Sequence, residues 1–156
     1  MVWLKLLARK GRTALRLSPT EQLLLLQAFA LLPLVFLSLN WQGMKRTQKL
    51  LRLLSREPKI LPEPSKFNRI RQTAKIVAIA SRYSPAWTNC LRQSLVLWYL
   101  LHRQGITSEL HIGVRREVGE FQAHAWLEFG GLTINDGHDV RRRYAPFERP
   151  IDLSAS

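Results

Sequence analysis

Scarcities narrow this chain before its motifs do. Its 156 residues include a single cysteine, Cys90. An intramolecular disulfide and a cysteine-rich zinc site both need more than one, so neither can be built within the chain. Without a disulfide framework, the compartment to expect is a reducing cytoplasm. Acids are nearly missing from one end: residues 1–56 hold ten Lys and Arg against Glu21 alone, a net +9, while the remainder holds 14 against 10, or +4. The sequence has no internal repeat, no low-complexity tract and no Walker-type glycine loop, so no bound cofactor and no ATP-binding loop is expected.

What is present is globular in composition, with 46% hydrophobic and 22% charged residues, a length suited to one domain with appended segments. A formal charge of +13 invites three partners: nucleic acid, an anionic membrane surface or an acidic protein. The basic residues are interleaved with leucines and no nucleic-acid reader motif occurs, so no nucleic-acid partner is expected. The apolar run from Leu23 to Leu39 is interrupted by Gln27 and Pro33 and sits at the short limit for a bilayer span. No A-x-A-like site follows it and basic residues flank both ends, which favours a buried or membrane-surface helix over a signal peptide or a span.

Along the chain, Ser18-Pro19-Thr20-Glu21 is a capping box and opens a helix that runs toward Leu39, with Pro33 as its kink. Residues 44–56 form a basic amphipathic helix, and the three prolines of 57–66 read as a linker. A helix over 67–83 and the turn SPAWTN lead to a strongly apolar helix from Cys90, stopped by Gly105. The hydrophobic period then changes to two. Residues 109–114 predict a strand, 117–120 a turn, 121–129 a second strand, Gly130–Gly131 a hairpin connection, 132–136 a third strand, and the tail from Gly137 an irregular stretch. Helices followed by an antiparallel meander give an α+β layout: residues 1–56 as a basic helical segment, 57–66 as linker and 67–156 as the main domain.

Chemistry gathers on three residues of that domain. Cys90 follows Thr88 and Asn89, both good caps, so it falls in the first turn of its helix. The free amides and dipole there favour a thiolate and could hold an oxyanion. His124 could activate the sulfur and Asp136 could orient His124, a nucleophile, base and orienter set. Hairpin register bears on this. A two-residue Gly130–Gly131 loop opposes His124 with Gly137 and turns Asp136 to the other face, whereas a three-residue bulged loop places His124 directly across from Asp136. The sequence leaves both loops open. Each residue also has a plain reading: a small buried cysteine, a half-buried strand histidine, a turn aspartate. Asp139 is a reserve orienter. His102 at a helix end, His111 on the polar side of its strand and His138 in the irregular tail are weaker bases. A metal site from Cys90, His111, His124 and His138 lacks ligand spacing.

The runs CLRQSLVLWYLLHRQGI, ELHIGVRR, FQAHAWLE and LTIND resemble the transglutaminase-like cysteine protease domain of lasso-peptide maturation, the B2 or leader-peptidase family, over roughly residues 45–148. The resemblance implies a papain-like helix on an antiparallel sheet, with Cys90 as nucleophile, His124 as general base and acid, and Asp136 as orienter. It implies removal of the leader from a ribosomally made precursor, through a thioester, before an asparagine-synthetase-like cyclase closes the ring. Relatives often carry proline soon after the cysteine; here Leu91 and Arg92 follow it. Some relatives fuse a leader-recognition domain with several strands. Residues 1–56 carry no strand pattern, so a separate recognition protein is expected. Maturation in the family is associated with ATP. The basic leading helices could dock the leader, its recognition protein or the inner membrane face. The same triad would also serve an acyltransferase or a true transglutaminase.

Overall fold

The computed structural model describes residues 17–55, 63–117, 119–151 and 153. Three long helices come first: α1 (Pro19–Leu54), α2 (Glu63–Arg82) and α3 (Cys90–Arg103). They are followed by β1 (Glu109–Glu117), β2 (Glu120–Phe129), β3 (Leu132–Thr133), a short α4 (Val140–Arg143) and β4 (Ala145–Pro146). The strands form one sheet in the order β3-β2-β1-β4. The α+β architecture is the one the hydrophobic periods predict.

The capping box is formed as expected: Ser18 Oγ accepts the Glu21 amide at 3.3 Å, and the Ser18 amide donates to Glu21 Oε2 at 2.8 Å. Pro33 lies inside α1 without breaking it; the break falls at Gly43, whose φ of 73° an L side chain rarely adopts. Ser38 and Thr47 on a straight helix would stand about 13.5 Å apart along the axis. Their hydroxyls are 2.9 Å apart, so the chain folds back at Gly43 and α1 has two arms, 19–42 and 44–54. The first arm buries Ala28, Leu31, Leu32 and Val35, and the second buries Leu51, in one core with Ile70 and Val77 of α2 and the body of α3. α2 begins at Glu63, inside the stretch read as linker; residues 56–62 lie outside the described ones.

α3 is the centre of the core. Every residue from Ser94 to Leu101 is buried, as a helix apolar on all sides must be. It ends as the glycine predicts: Gly105 (φ 75°) sends its amide to the His102 carbonyl at 3.0 Å, and Ile106 sends its amide to Leu101 at 3.0 Å, the paired bonds of a Schellman stop.

β1 and β2 pair along their whole length, from Glu109 opposite Glu128 to Glu117 opposite Glu120. Side chains alternate across them. Leu110, Ile112, Ala125 and Leu127 face the helices and join the main core. His111, Trp126, His124 and Glu128 face the other way, and the chain after β3 covers them. That tail is more ordered than its composition suggests. It supplies α4, pairs Ala145 and Pro146 with β1, and bridges Ile151 to Leu110.

Candidate active site

Asn89 caps α3. Its extended backbone (φ −148°, ψ −179°) turns the side chain back so that Oδ1 accepts the Arg92 amide at 2.9 Å, while its carbonyl accepts the Gln93 amide at 2.9 Å. Cys90 is therefore the first helical residue, half-buried and free of disulfide. Among the described residues, no hydrogen bond uses the amides of Cys90 or Leu91, and the first turn holds no acid. Two unpaired amides at the positive end of a helix are what a developing oxyanion needs.

The hairpin adopts the two-residue loop. Gly130 and Gly131 take φ of 55° and 79°, and Phe129 opposes Leu132. The bulged loop that would set His124 directly across from Asp136 is not formed. Continued as a ladder, the observed register would send Asp136 to the wrong face. The ladder instead stops early. β3 is two residues long where 132–136 was expected, and its last backbone bond runs from the Ile134 amide to the Leu127 carbonyl at 2.9 Å. At the next position the side chain of Asn135 takes over: Oδ1 accepts the Leu127 amide at 2.8 Å, and Nδ2 donates to Ser94 Oγ at 2.9 Å. The backbone leaves the sheet there, and Asp136 comes round to the face of His124. Its Oδ2 is hydrogen-bonded to His124 Nε2.

That bond uses one ring nitrogen and leaves Nδ1 for proton exchange. Tyr144 stacks on the imidazole, with centroids 4.8 Å apart and planes 27° from parallel, and Trp126 lies 6.1 Å away on the same face. Asp136 Oδ1 accepts the Gly137 amide at 2.6 Å and Arg143 Nη2 at 2.5 Å. Burial pushes the Asp136 carboxyl up, but the Gly137 amide, His124 and Arg143 outweigh it and hold it below the ordinary aspartate value. It is a carboxylate at neutral pH, able to fix the imidazole and to stabilise its cation.

α3 and β2 are tied together beside this pair. Ser94, one turn beyond Cys90 on the same side of α3, donates to the Ala125 carbonyl at 3.2 Å, where the shortened β3 leaves that edge of β2 unpaired. Among the described residues the thiol is hydrogen-bonded to neither His124 nor Asp136. The structure brings the imidazole and carboxylate into contact and sets the cysteine on the adjoining helix end.

Asp139, the reserve orienter, does not touch His124. Its Oδ2 accepts Arg143 Nε at 3.0 Å and so steadies the guanidinium that holds Asp136. His102 stacks on Trp98 (5.1 Å, 8°) at the far end of α3. His111 is buried against Trp126, 3.5 Å from the carboxylates of Glu109 and Glu128, because the polar side of its strand is roofed by the tail. His138 is exposed at the mouth of an open cavity of about 490 Å³ between α2 and the β2–β3 hairpin, which also reaches Gln93 and Asn135. Among the described residues, no three His, Cys, Asp or Glu converge as metal ligands.

Sequence reasoning missed Arg143, Tyr144 and the pair Glu128–Arg141. Arg141 grips Glu128 with two bonds, at 2.8 and 2.7 Å, and Trp126 Nε1 donates to the same carboxylate at 2.8 Å. The pair pins α4 under the sheet, which places Arg143 and Tyr144. The arginine triplet 141–143, which starts two residues beyond Asp139 and five beyond Asp136, was the available signal.

The family model described as Transglutaminase-like superfamily matches residues 31–149. The chain belongs to that superfamily. Its matched span begins within the first arm of α1 and takes in Cys90, His124, Asp136 and α4. The chain is also similar to the microcin J25-processing protein McjB of Escherichia coli, 39% identical over 54 residues, which is 35% of this chain and 25% of McjB. The match thus spans about a quarter of that relative. No solved structure matches the chain.

Proposed function

We propose that this transglutaminase-like protein is a cysteine peptidase that removes the leader from a ribosomally made lasso-peptide precursor. One observation carries the reading: an ionised aspartate on the imidazole of His124, beside a helix that begins with the chain's single cysteine. The similarity to McjB supports the substrate class.

In this reading Cys90 gives its proton to His124 Nδ1, and the thiolate bonds to the carbonyl carbon of the scissile amide. The Cys90 and Leu91 amides face the oxyanion. As the C–N bond breaks, His124 returns the proton to the departing amine, leaving a thioester on Cys90. Water, deprotonated by His124, then attacks the thioester. The C–S bond breaks, the leader leaves as a carboxylate, and His124 reprotonates the sulfur. Asp136 stays ionised and keeps the imidazole in register. The cavity beside Gln93 and Asn135 gives the substrate a wall to lie on. The partners in this reading are the precursor peptide, a separate leader-recognition protein and an asparagine-synthetase-like cyclase, and the compartment is one that keeps thiols reduced.

The test is mass spectrometry of a precursor peptide incubated with the protein and its recognition partner. Folded Cys90→Ala and His124→Ala proteins should lose cleavage by on the order of 10⁴-fold or more, and Asp136→Asn by roughly 10³–10⁴-fold. Undiminished cleavage by either of the first two overturns the roles. A product in which an added amine replaces water identifies an acyltransferase that uses the same residues.

A further inference from the structure

One large surface plays no part in that chemistry. Between Leu23 and Leu37 on the first arm of α1 the exposed positions are Leu23, Leu26, Ala30, Leu34 and Leu37, and exposed Trp41, beside Asn40 and Gln42, continues their line in steps of three and four residues that keep them on one side. The stripe is about 27 Å long at 1.5 Å per residue. Its outermost members are open to solvent, Leu26 at 68% and Trp41 at 80%. Ala28, Leu31, Leu32 and Val35 on the opposite side are already buried in the core, so the core does not account for the leucines outside. An apolar patch of this extent marks a docking surface.

Charge identifies what docks. No acid occurs between Gln22 and Arg56, and beyond the Gly43 turn Lys45, Arg46 and Lys49 are all exposed. Protein interfaces tend to be depleted in lysine and to match charges of both signs. A leucine face ending in an exposed tryptophan, followed across the Gly43 turn by exposed cations of one sign, fits the boundary between acyl chains and anionic headgroups. We propose that this stripe, with Lys45, Arg46 and Lys49, is a docking surface for an anionic lipid bilayer, along which α1 lies without crossing.

Flotation of the full-length protein with vesicles tests this. Wild type should float with vesicles of phosphatidylcholine and phosphatidylglycerol, float less with phosphatidylcholine alone, and detach as salt is raised. Leu26→Gln/Trp41→Gln alters only exposed positions, so circular dichroism should be unchanged while partitioning falls at least tenfold. Lys45→Gln/Arg46→Gln/Lys49→Gln should lower binding to anionic vesicles on the order of 100-fold at low salt. Wild type left at the bottom of an anionic gradient overturns the proposal, as does flotation of the double variant equal to wild type. So does a double variant that loses a recognition protein in sedimentation while the wild type shows no affinity for lipid, because the stripe then belongs to a protein interface.

Discussion

The two faces of the β1–β2 ribbon share one backbone and one register, yet they are held by different forces. The helix side is aliphatic. Leu110, Ile112, Ala125 and Leu127 gain their stability from area removed from water, and none makes a directional side-chain bond. The tail side is a row of rings and charges. His111, Trp126, His124 and Tyr144 stack in sequence, and carboxylates at both ends are gripped by arginines, Glu128 by Arg141 and Asp136 by Arg143. The helix side tolerates adjustment of shape. The tail side fixes direction, which a proton-transferring imidazole requires and an aliphatic core cannot supply. Aliphatic packing and directional bonding are thus separated by the thickness of one strand.

Substitutions on the two sides should part accordingly. The largest effect on folding is expected from Leu127→Ala, which empties a fully buried position on the helix side and should cost about 2–5 kcal/mol in urea unfolding. The surviving folded fraction should keep its His124–Asp136 bond, read from the imidazole NMR signals. Next is Gly113→Ala. Gly113 lies opposite His124, and a β-carbon there would come within 2.9 Å of the Trp126 ring and 3.0 Å of the Ala145 carbonyl. The expected loss is roughly 1–3 kcal/mol, with near-ultraviolet dichroism altered by displacement of Trp126.

Arg141→Ala is comparable in size to Gly113→Ala and is the most specific. Glu128 is 1% exposed and Arg141 half exposed, so the loss should be roughly 2 kcal/mol at pH 7, below that of a pair buried at both ends. Burial pushes the Glu128 carboxyl up, but bonds from Arg141 and Trp126, with His111 nearby, leave it below its ordinary value. A carboxyl depressed in the folded state contributes stability above its unfolded value of about 4.3 and loses it as the pH falls through the folded value. The gap between wild type and Arg141→Ala in urea midpoints should therefore be full at neutral pH and narrow as the pH falls through the carboxylate range. A gap that stays constant with pH would mean that Arg141 acts only by packing.

How far the sequence could be read depended on the range of the interaction. The capping box at Ser18, the glycine stop at Gly105 and the change of period after it are local, each set by residues within four positions, and all formed as read. The helices read toward Leu39 and over 44–56 are the two arms of α1; Gly43, with its positive φ, makes the reversal between them, and Pro33 costs one backbone bond inside the first arm. The hairpin is the instructive case. Counting residues gave the consequences of each loop correctly, and the loop formed was the one that sends Asp136 away. Asp136 returns only because Asn135 breaks the ladder and bonds to Ser94, 41 positions earlier. Arg143 and Tyr144 were missed for the same reason, since a triplet of arginines looks like solvated surface until Glu128 is known to be buried opposite it.

Alone, the sequence determined the long helices, the two long strands and their alternation, and the cysteine's place at a helix start, because nearest-neighbour sterics and the two hydrophobic periods decide those. The tertiary structure decided which imidazole meets which carboxylate and what holds the carboxylate ionised. Those outcomes depend on where a strand stops and on charges brought together from distant parts of the chain. No local pattern encodes the burial that makes such bonds worth forming.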